Sequence, residues 1–198
     1  MMASSVARKL LFAFVTMTLA GCSATTPSRF YSLDLTARPE GAPDTDITVV
    51  VGQVTLPASV DRPQFVIQVA PNRVDINEYN RWAAPLDDNI ARVVAGNLAV
   101  LLGTPRVARA PFANFKPAYR VAIDVQRFES IPEQSALIEA LWTVRKTADG
   151  QASTGHTLAR EAVQGKGFDT LAAAHSRALA QVSRDIAAVI RAEEDKKP

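Results

Sequence analysis

From Phe30 onward the chain alternates apolar and polar residues in short stretches broken by proline and glycine, and twice the period lengthens to that of a helix. Phe30-Tyr31-Ser32-Leu33-Asp34-Leu35 alternates and reads as a strand. Ile47 to Val51 is a β-branched run suited to a buried strand, and Gly52 to Arg62, with Pro57, interrupts it. Phe65–Val69 and Arg73–Asn77 flank Pro71-Asn72, which predicts a hairpin over 64–77. Ile90, Val93, Val94, Asn97, Leu98 and Leu101 fall on one face at period 3.6. Asp87 or Asp88 is placed to cap that helix, Gly103 takes the C-terminal glycine position, and Pro105 forbids continuation.

Three strands follow. Tyr119, Val121, Ile123 and Val125 alternate with Arg120, Ala122, Asp124 and Gln126. In Ala136–Lys146, Ile138, Ala140, Trp142 and Val144 lie on one side, with Glu139, Thr143 and Arg145 on the other. Asp149-Gly150 turns the chain into Thr154–Val163, completing a meander closed by Gly165-Lys166-Gly167. The last helix starts near Asp169 and carries Leu171, Ala174 or His175, Ala178, Val182, Ile186, Val189 and Ile190 on its apolar face. The simplest assembly is an α+β two-layer sandwich: one mixed, mostly antiparallel sheet with both helices packed on one face.

Composition narrows the function. The 198 residues are 47% hydrophobic and 21% charged, ordinary for a globular chain. Arg8 and Lys9 stand in the first 21 residues without an acid, and the remainder balances 20 basic against 20 acidic residues. A body of zero formal charge lacks the basic face a nucleic-acid binder needs. A single cysteine excludes an intramolecular disulfide and a cysteine-cluster metal site.

That cysteine belongs to the leader. Behind Arg8 and Lys9 runs Leu10–Leu19, about ten apolar residues, too short to span ~30 Å of hydrocarbon and suited to a signal-peptide core. The run ends in Leu19-Ala20-Gly21-Cys22, which resembles the bacterial lipobox. The resemblance implies cleavage between Gly21 and Cys22, a diacylglycerol thioether on the Cys22 thiol and an N-acyl chain on its new amino terminus, with no other cofactor. Ser23 follows where an aspartate would favour inner-membrane retention, so the sorting rule of such lipoproteins implies the outer membrane, facing the periplasm. The division is a signal peptide over 1–21, lipidated cysteine and tether over 22–29, one domain over 30–191, and a charged tail over 192–198 that should fray. Eight steps from Cys22 to Phe30 reach at most ~30 Å, which keeps the body beside its membrane.

No catalytic constellation is present. G-x-S-x-G, S-x-x-K and H-E-x-x-H are all missing from the sequence, and the two histidines, His156 and His175, read as surface or boundary residues. Gly165-Lys166-Gly167 invites an anion site at a helix start but lacks the order of a phosphate loop, and a flexible turn is the simpler reading. Asp61-Arg62-Pro63-Gln64 and Arg81-Trp82-Ala83-Ala84-Pro85-Leu86 are more distinctive. They are structural corners or a partner surface, and Arg62, Arg81 and Trp82 are the candidate interface residues, with Arg81 able to stack on Trp82 or reach a carboxylate.

The lipobox, Arg29-Phe30-Tyr31-Ser32-Leu33, Val51-Gly52-Gln53-Val54-Thr55-Leu56-Pro57, Asp61-Arg62-Pro63-Gln64, Arg81–Leu86, the Val121–Phe128 strand and Ala140-Leu141-Trp142 occur in order. This arrangement, over nearly all of residues 20–190, is similar to the PqiC/YmbA-type lipoproteins, auxiliary components of ABC-type transport systems that include MCE proteins. The resemblance implies a non-enzymatic subunit that docks a periplasmic MCE protein at the outer membrane, in a system that moves lipid or preserves the envelope. By analogy with ring-shaped MCE proteins it also implies a homo-oligomer. Three other readings stand beside it. One is a scaffold or activator of cell-wall synthesis, for which residues 23–29 make a short tether. Another is an envelope hydrolase. The third is a body that holds an acyl chain against Phe65, Trp142 and the last helix.

Overall fold

A computed structural model describes residues 26–41, 43–110 and 115–196; the leader, the lipobox and residues 23–25 of the tether lie outside the described residues. The alternation over Tyr119–Val125 becomes the central strand of a five-stranded sheet. Its elements are β2 (Val49–Thr55), β5 (Val107–Arg109), β6 (Tyr119–Ile131), β7 (Ser135–Lys146) and β8 (Ala152–Ala162), in the order β5-β2-β6-β7-β8. β6, β7 and β8 form the expected antiparallel meander, while β2 pairs parallel to both β5 and β6. Two helices, α1 (Leu86–Leu102) and α2 (Phe168–Asp195), cover one face of this sheet. The α+β two-layer sandwich therefore holds.

The strands divide between two sheets where the pattern alone suggested one. β1 (Arg29–Tyr31), β3 (Gln64–Ala70) and β4 (Arg73–Trp82) form a separate three-stranded sheet, order β1-β4-β3. The 64–77 hairpin is its antiparallel half, and β1 pairs parallel to the far end of β4. Aromatic packing joins the two sheets. Phe65 stacks on Trp82 at 4.2 Å, Trp82 meets Phe128 of β6 edge-on at 6.1 Å, and Phe168, the first residue of α2, lies 5.1 Å from Phe65.

One inserted residue sets the phase of β6. Val125 and Arg127 pair with Ala140 and Glu139, consecutive residues on β7, so Gln126 is bulged out. Plain alternation from Tyr119 would send Arg127 inward. The extra residue turns Arg127 outward and places Phe128 and Ser130 in the interior. Across the sheet, the Trp142 ring lies flat over Gly155, its cross-strand partner; a Cβ built there would sit 2.1 Å from the indole. The Trp142 Nε1–H donates to Thr157 Oγ1 (3.0 Å), and the Thr157 hydroxyl donates to Asp185 of α2 (2.6 Å).

Of the Phe30–Leu35 alternation only Phe30 and Tyr31 are strand, within β1. The rest is an extended strap laid across the helices. Leu33 is fully buried, the Arg92 guanidinium of α1 donates to the Leu33 carbonyl and to Ser32, and the Asp34 amide donates to Ser176 Oγ of α2 (3.0 Å). The Thr36 and Ala37 amides both donate to Asn97 Oδ1 of α1 (3.3 and 3.2 Å), and the Asn97 amide reaches Ser183 of α2 (3.3 Å). Asn97 thus occupies a core position because it supplies the acceptor the strap needs.

The helix ends differ in detail from expectation. Pro85 and Gly167 stand at the N-caps without side-chain caps, and Gly103 ends α1 in the left-handed conformation as predicted. The Arg191 side chain of α2 donates to the Leu101 carbonyl (2.8 Å), which satisfies a terminal acceptor of α1. α2 runs to Asp195, into the segment read as a fraying tail, because the Tyr119 hydroxyl donates to Glu194 (2.7 Å) and Ser153 to Glu193 (3.2 Å). Burial, and then the bond to Glu194, push the Tyr119 phenol above its ordinary range.

Candidate functional site

The helices leave the other face of the five-stranded sheet bare. On it the outward residues of four adjacent strands line an open groove of about 770 Å³, with Gln53 and Thr55 of β2, Asp124 of β6, Leu141 and Thr143 of β7, and His156 of β8. Its polar groups are tied together: Thr55 Oγ1 of β2 donates to Asp124 Oδ1 of β6 (2.6 Å), and within β6 Gln126 donates to Asp124 Oδ2 (2.8 Å). His156 Nε2 lies 3.0 Å from Glu139 Oε1, and the Arg127 guanidinium bridges Glu129 (2.8 Å) and Glu139 (3.5 Å). Leu141 and Leu158 are 45% and 56% exposed. Exposed apolar side chains on β7 and β8 beside polar, internally paired groups are the make-up of a protein-binding surface.

Neither leucine is conspicuous in the sequence. Both sit in the outward register of strands whose inward residues carry the apolar signal, and the only local sign was an apolar residue out of phase, between Glu139 and Thr143 in β7.

The two histidines stand on opposite faces of the sheet. His156 is on the bare face, half exposed beside Glu139. His175, on α2, is fully buried: its ring stacks on Phe128 at 3.8 Å, Nε2 lies 2.8 Å from Ser130 Oγ, and Nδ1 has no hydrogen-bond partner among the described residues. Burial pushes its pKa down to about 3. Among the described residues no group of three His, Cys, Asp or Glu side chains is placed to hold a metal. No described helix is long and apolar enough to cross a membrane.

The three candidate interface residues are dispersed in depth. Trp82 is buried, its ring stacked on Phe65, so it serves the aromatic junction between the sheets. Arg62 lies in a tight corner in which the Val60 and Asp61 amides donate to the Pro57 carbonyl, and its Nε is buried with no hydrogen-bond partner among the described residues. Arg81 stays half exposed, opposite Phe30 in the β1–β4 register. In Gly165-Lys166-Gly167 both glycines have positive φ (119° and 104°), the flexible-turn geometry. The Lys166 ammonium lies 3.7 Å from Glu133. Cys22 and Gly21 lie outside the described residues.

Residues 31–187 match the model of a family described as an ABC-type transport auxiliary lipoprotein component. Two crystal structures share the fold. One is of an uncharacterized protein, 23% identical, with a TM-score of 0.69 over 83% of this chain and 99% of its own. The other is of a protein from Xanthomonas campestris, 21% identical, with a TM-score of 0.71 over 86% of this chain and 100% of its own. A PelC dodecamer from Paraburkholderia phytofirmans is 12% identical over 72% of this chain and 91% of its own, with a TM-score of 0.40, too distant to bear on this molecule. No curated protein matches the chain at a significant level.

Proposed function

The chain belongs to the ABC-type transport auxiliary lipoprotein components, and from that premise we propose that it is a non-enzymatic, outer-membrane subunit that docks the periplasmic MCE component of a lipid-transport or envelope-integrity system. The observation that carries this reading is the bare sheet face with Leu141 and Leu158 exposed on its β7–β8 side, in a chain matched to the family over 31–187. A transport subunit without turnover needs a surface, and this one is preformed: regular strands hold its backbone, and paired charges hold its rim. Acyl chains on Cys22 would keep that surface at the membrane, since each buried methylene adds ~0.8 kcal/mol and two chains suffice for stable anchoring. A homo-oligomer of the body would meet a ring-shaped partner subunit for subunit.

In-cell crosslinking from the bare face, followed by identification of the captured protein, tests the proposal. An MCE-domain protein is the expected product, and capture of a penicillin-binding protein instead would overturn the docking role. Leu141→Glu should weaken capture by roughly tenfold, equivalent to about 1.4 kcal/mol. The melting temperature should hold, because the side chain is half in solvent.

A further inference from the structure

Apart from Leu35 on the strap, the exposed large apolar side chains among the described residues gather in three places. Leu141 and Leu158 lie on the bare sheet, Val69, Val74 and Ile76 near the β3–β4 hairpin tip, and Phe30 and Tyr79 where the folded body begins. The third group is distinguished by its position in the chain. Tyr31 points inward, edge-on to Phe65 at 6.0 Å, so strand alternation sends Phe30 outward, where it is 63% exposed. On β4 the Trp82 ring points inward and Arg81 outward, directly opposite Phe30 in the parallel register. Asn80 accepts from the Tyr31 hydroxyl (2.7 Å), and Tyr79, in the register break between Asn77 and Arg81, is 48% exposed beside it. Arg81 makes no ion pair among the described residues, and the Glu78 carboxylate is engaged by the Gln64 amide (3.1 Å).

We propose that this end of the three-stranded sheet, Phe30 and Arg81 with the adjoining Tyr79, lies in the headgroup zone of the phospholipid leaflet that holds the acyl chains of Cys22. The inference rests on the reading of Cys22 as lipidated. Seven steps separate Cys22 from Arg29, a reach of at most ~25 Å, so the tether delivers the start of β1 to the bilayer before any other part of the body. Aromatic rings and an arginine on a long apolar stem are the side chains that settle at a membrane interface. Tethering makes their contact intramolecular, so a patch too small to hold a free protein suffices here. The hairpin tip is excluded by distance: Val74 is seven residues from Arg81 along β4, ~23 Å away.

The test uses the full acylated chain in phosphatidylethanolamine–phosphatidylglycerol vesicles, with the photoreactive residue p-benzoylphenylalanine placed at Phe30 or, as a control, at Val74. Both positions are exposed, so neither replacement disturbs packing. The expected result is a phospholipid adduct several-fold more abundant from position 30 than from position 74. Equal lipid yields, or adducts from position 30 to protein alone, overturn the proposal. The mass of the amino-terminal peptide reports acylation independently. An acylated peptide with no lipid adduct at position 30 sinks the docking face and leaves the anchor standing, whereas an unacylated Cys22 overturns both.

Discussion

An imidazole closed off from water, with one nitrogen against a hydroxyl and the other without a partner among the described residues, has its proton affinity set by desolvation, and His175 is such a group. The folded chain resists protonation until about pH 3, while the unfolded chain takes the proton near the ordinary value of 6.5. The unfolded state therefore binds the extra proton on acidification. Stability falls as pH drops below about 6.5, with a slope of up to ~1.4 kcal/mol per unit. Between pH 7 and pH 5 this group alone should cost about 2 kcal/mol. His175→Phe keeps the ring stacked on Phe128 and removes the titration. Urea midpoints for the two proteins at both pH values measure the difference, and an equal acid loss in the variant would place its origin elsewhere.

At the scale of elements, the strap over residues 32–37 is held by acceptors that the helices supply. Asn97→Leu nearly conserves volume but removes the oxygen that receives the Thr36 and Ala37 amides. It should cost about 1–2 kcal/mol and speed hydrogen exchange at those two amides, while α1 and α2 keep their protection. Unchanged exchange at Thr36 and Ala37 would show that the strap is held by Leu33 alone. The same segment marks where the sequence was legible and where it was not. Local periodicity located both helices, the hairpin and the meander, since each is decided by neighbours within a dozen residues. It misread Leu33 and Leu35 as strand because the strap has the same alternation, with Leu33 under the helices and Leu35 against Gly96. The division into two sheets was hidden because β1 meets β4 across some fifty residues. The exposed leucines of the bare face stayed hidden for a related reason: Leu141 and Leu158 become neighbours only when β7 and β8 pair, and the bulge at Gln126 is set by the β6–β7 register.

For the whole molecule, the proposed anchor at Cys22 should be separable from the body. Leu33 is the first fully buried residue among those described, eleven positions beyond Cys22, so Cys22→Ala should leave the melting temperature of the body unchanged. The same change should move the protein from the membrane pellet to the soluble fraction after cell lysis. Retention in the pellet would mean that something other than acyl chains holds it there. The Trp82 result belongs at this scale too. The motif that contains it is distinctive because it terminates β4 and launches α1, with Trp82 wedged between sheets and Arg81 left at the surface.

The parallel pairing of β1 with β4 also settles how the body responds to force. Any tension applied at the amino terminus enters at Arg29 and runs along three rungs of strand pairing, a shear geometry in which the bonds share the load. Next in line come Leu33 in its socket, the Arg92 and Asn97 contacts to α1 and the Ser176 contacts to α2, which splint the strap to both helices. A subunit pinned at one end and pulled by a partner at the other would thus yield at its margin, and the bare face would keep its shape until the strap itself tore free.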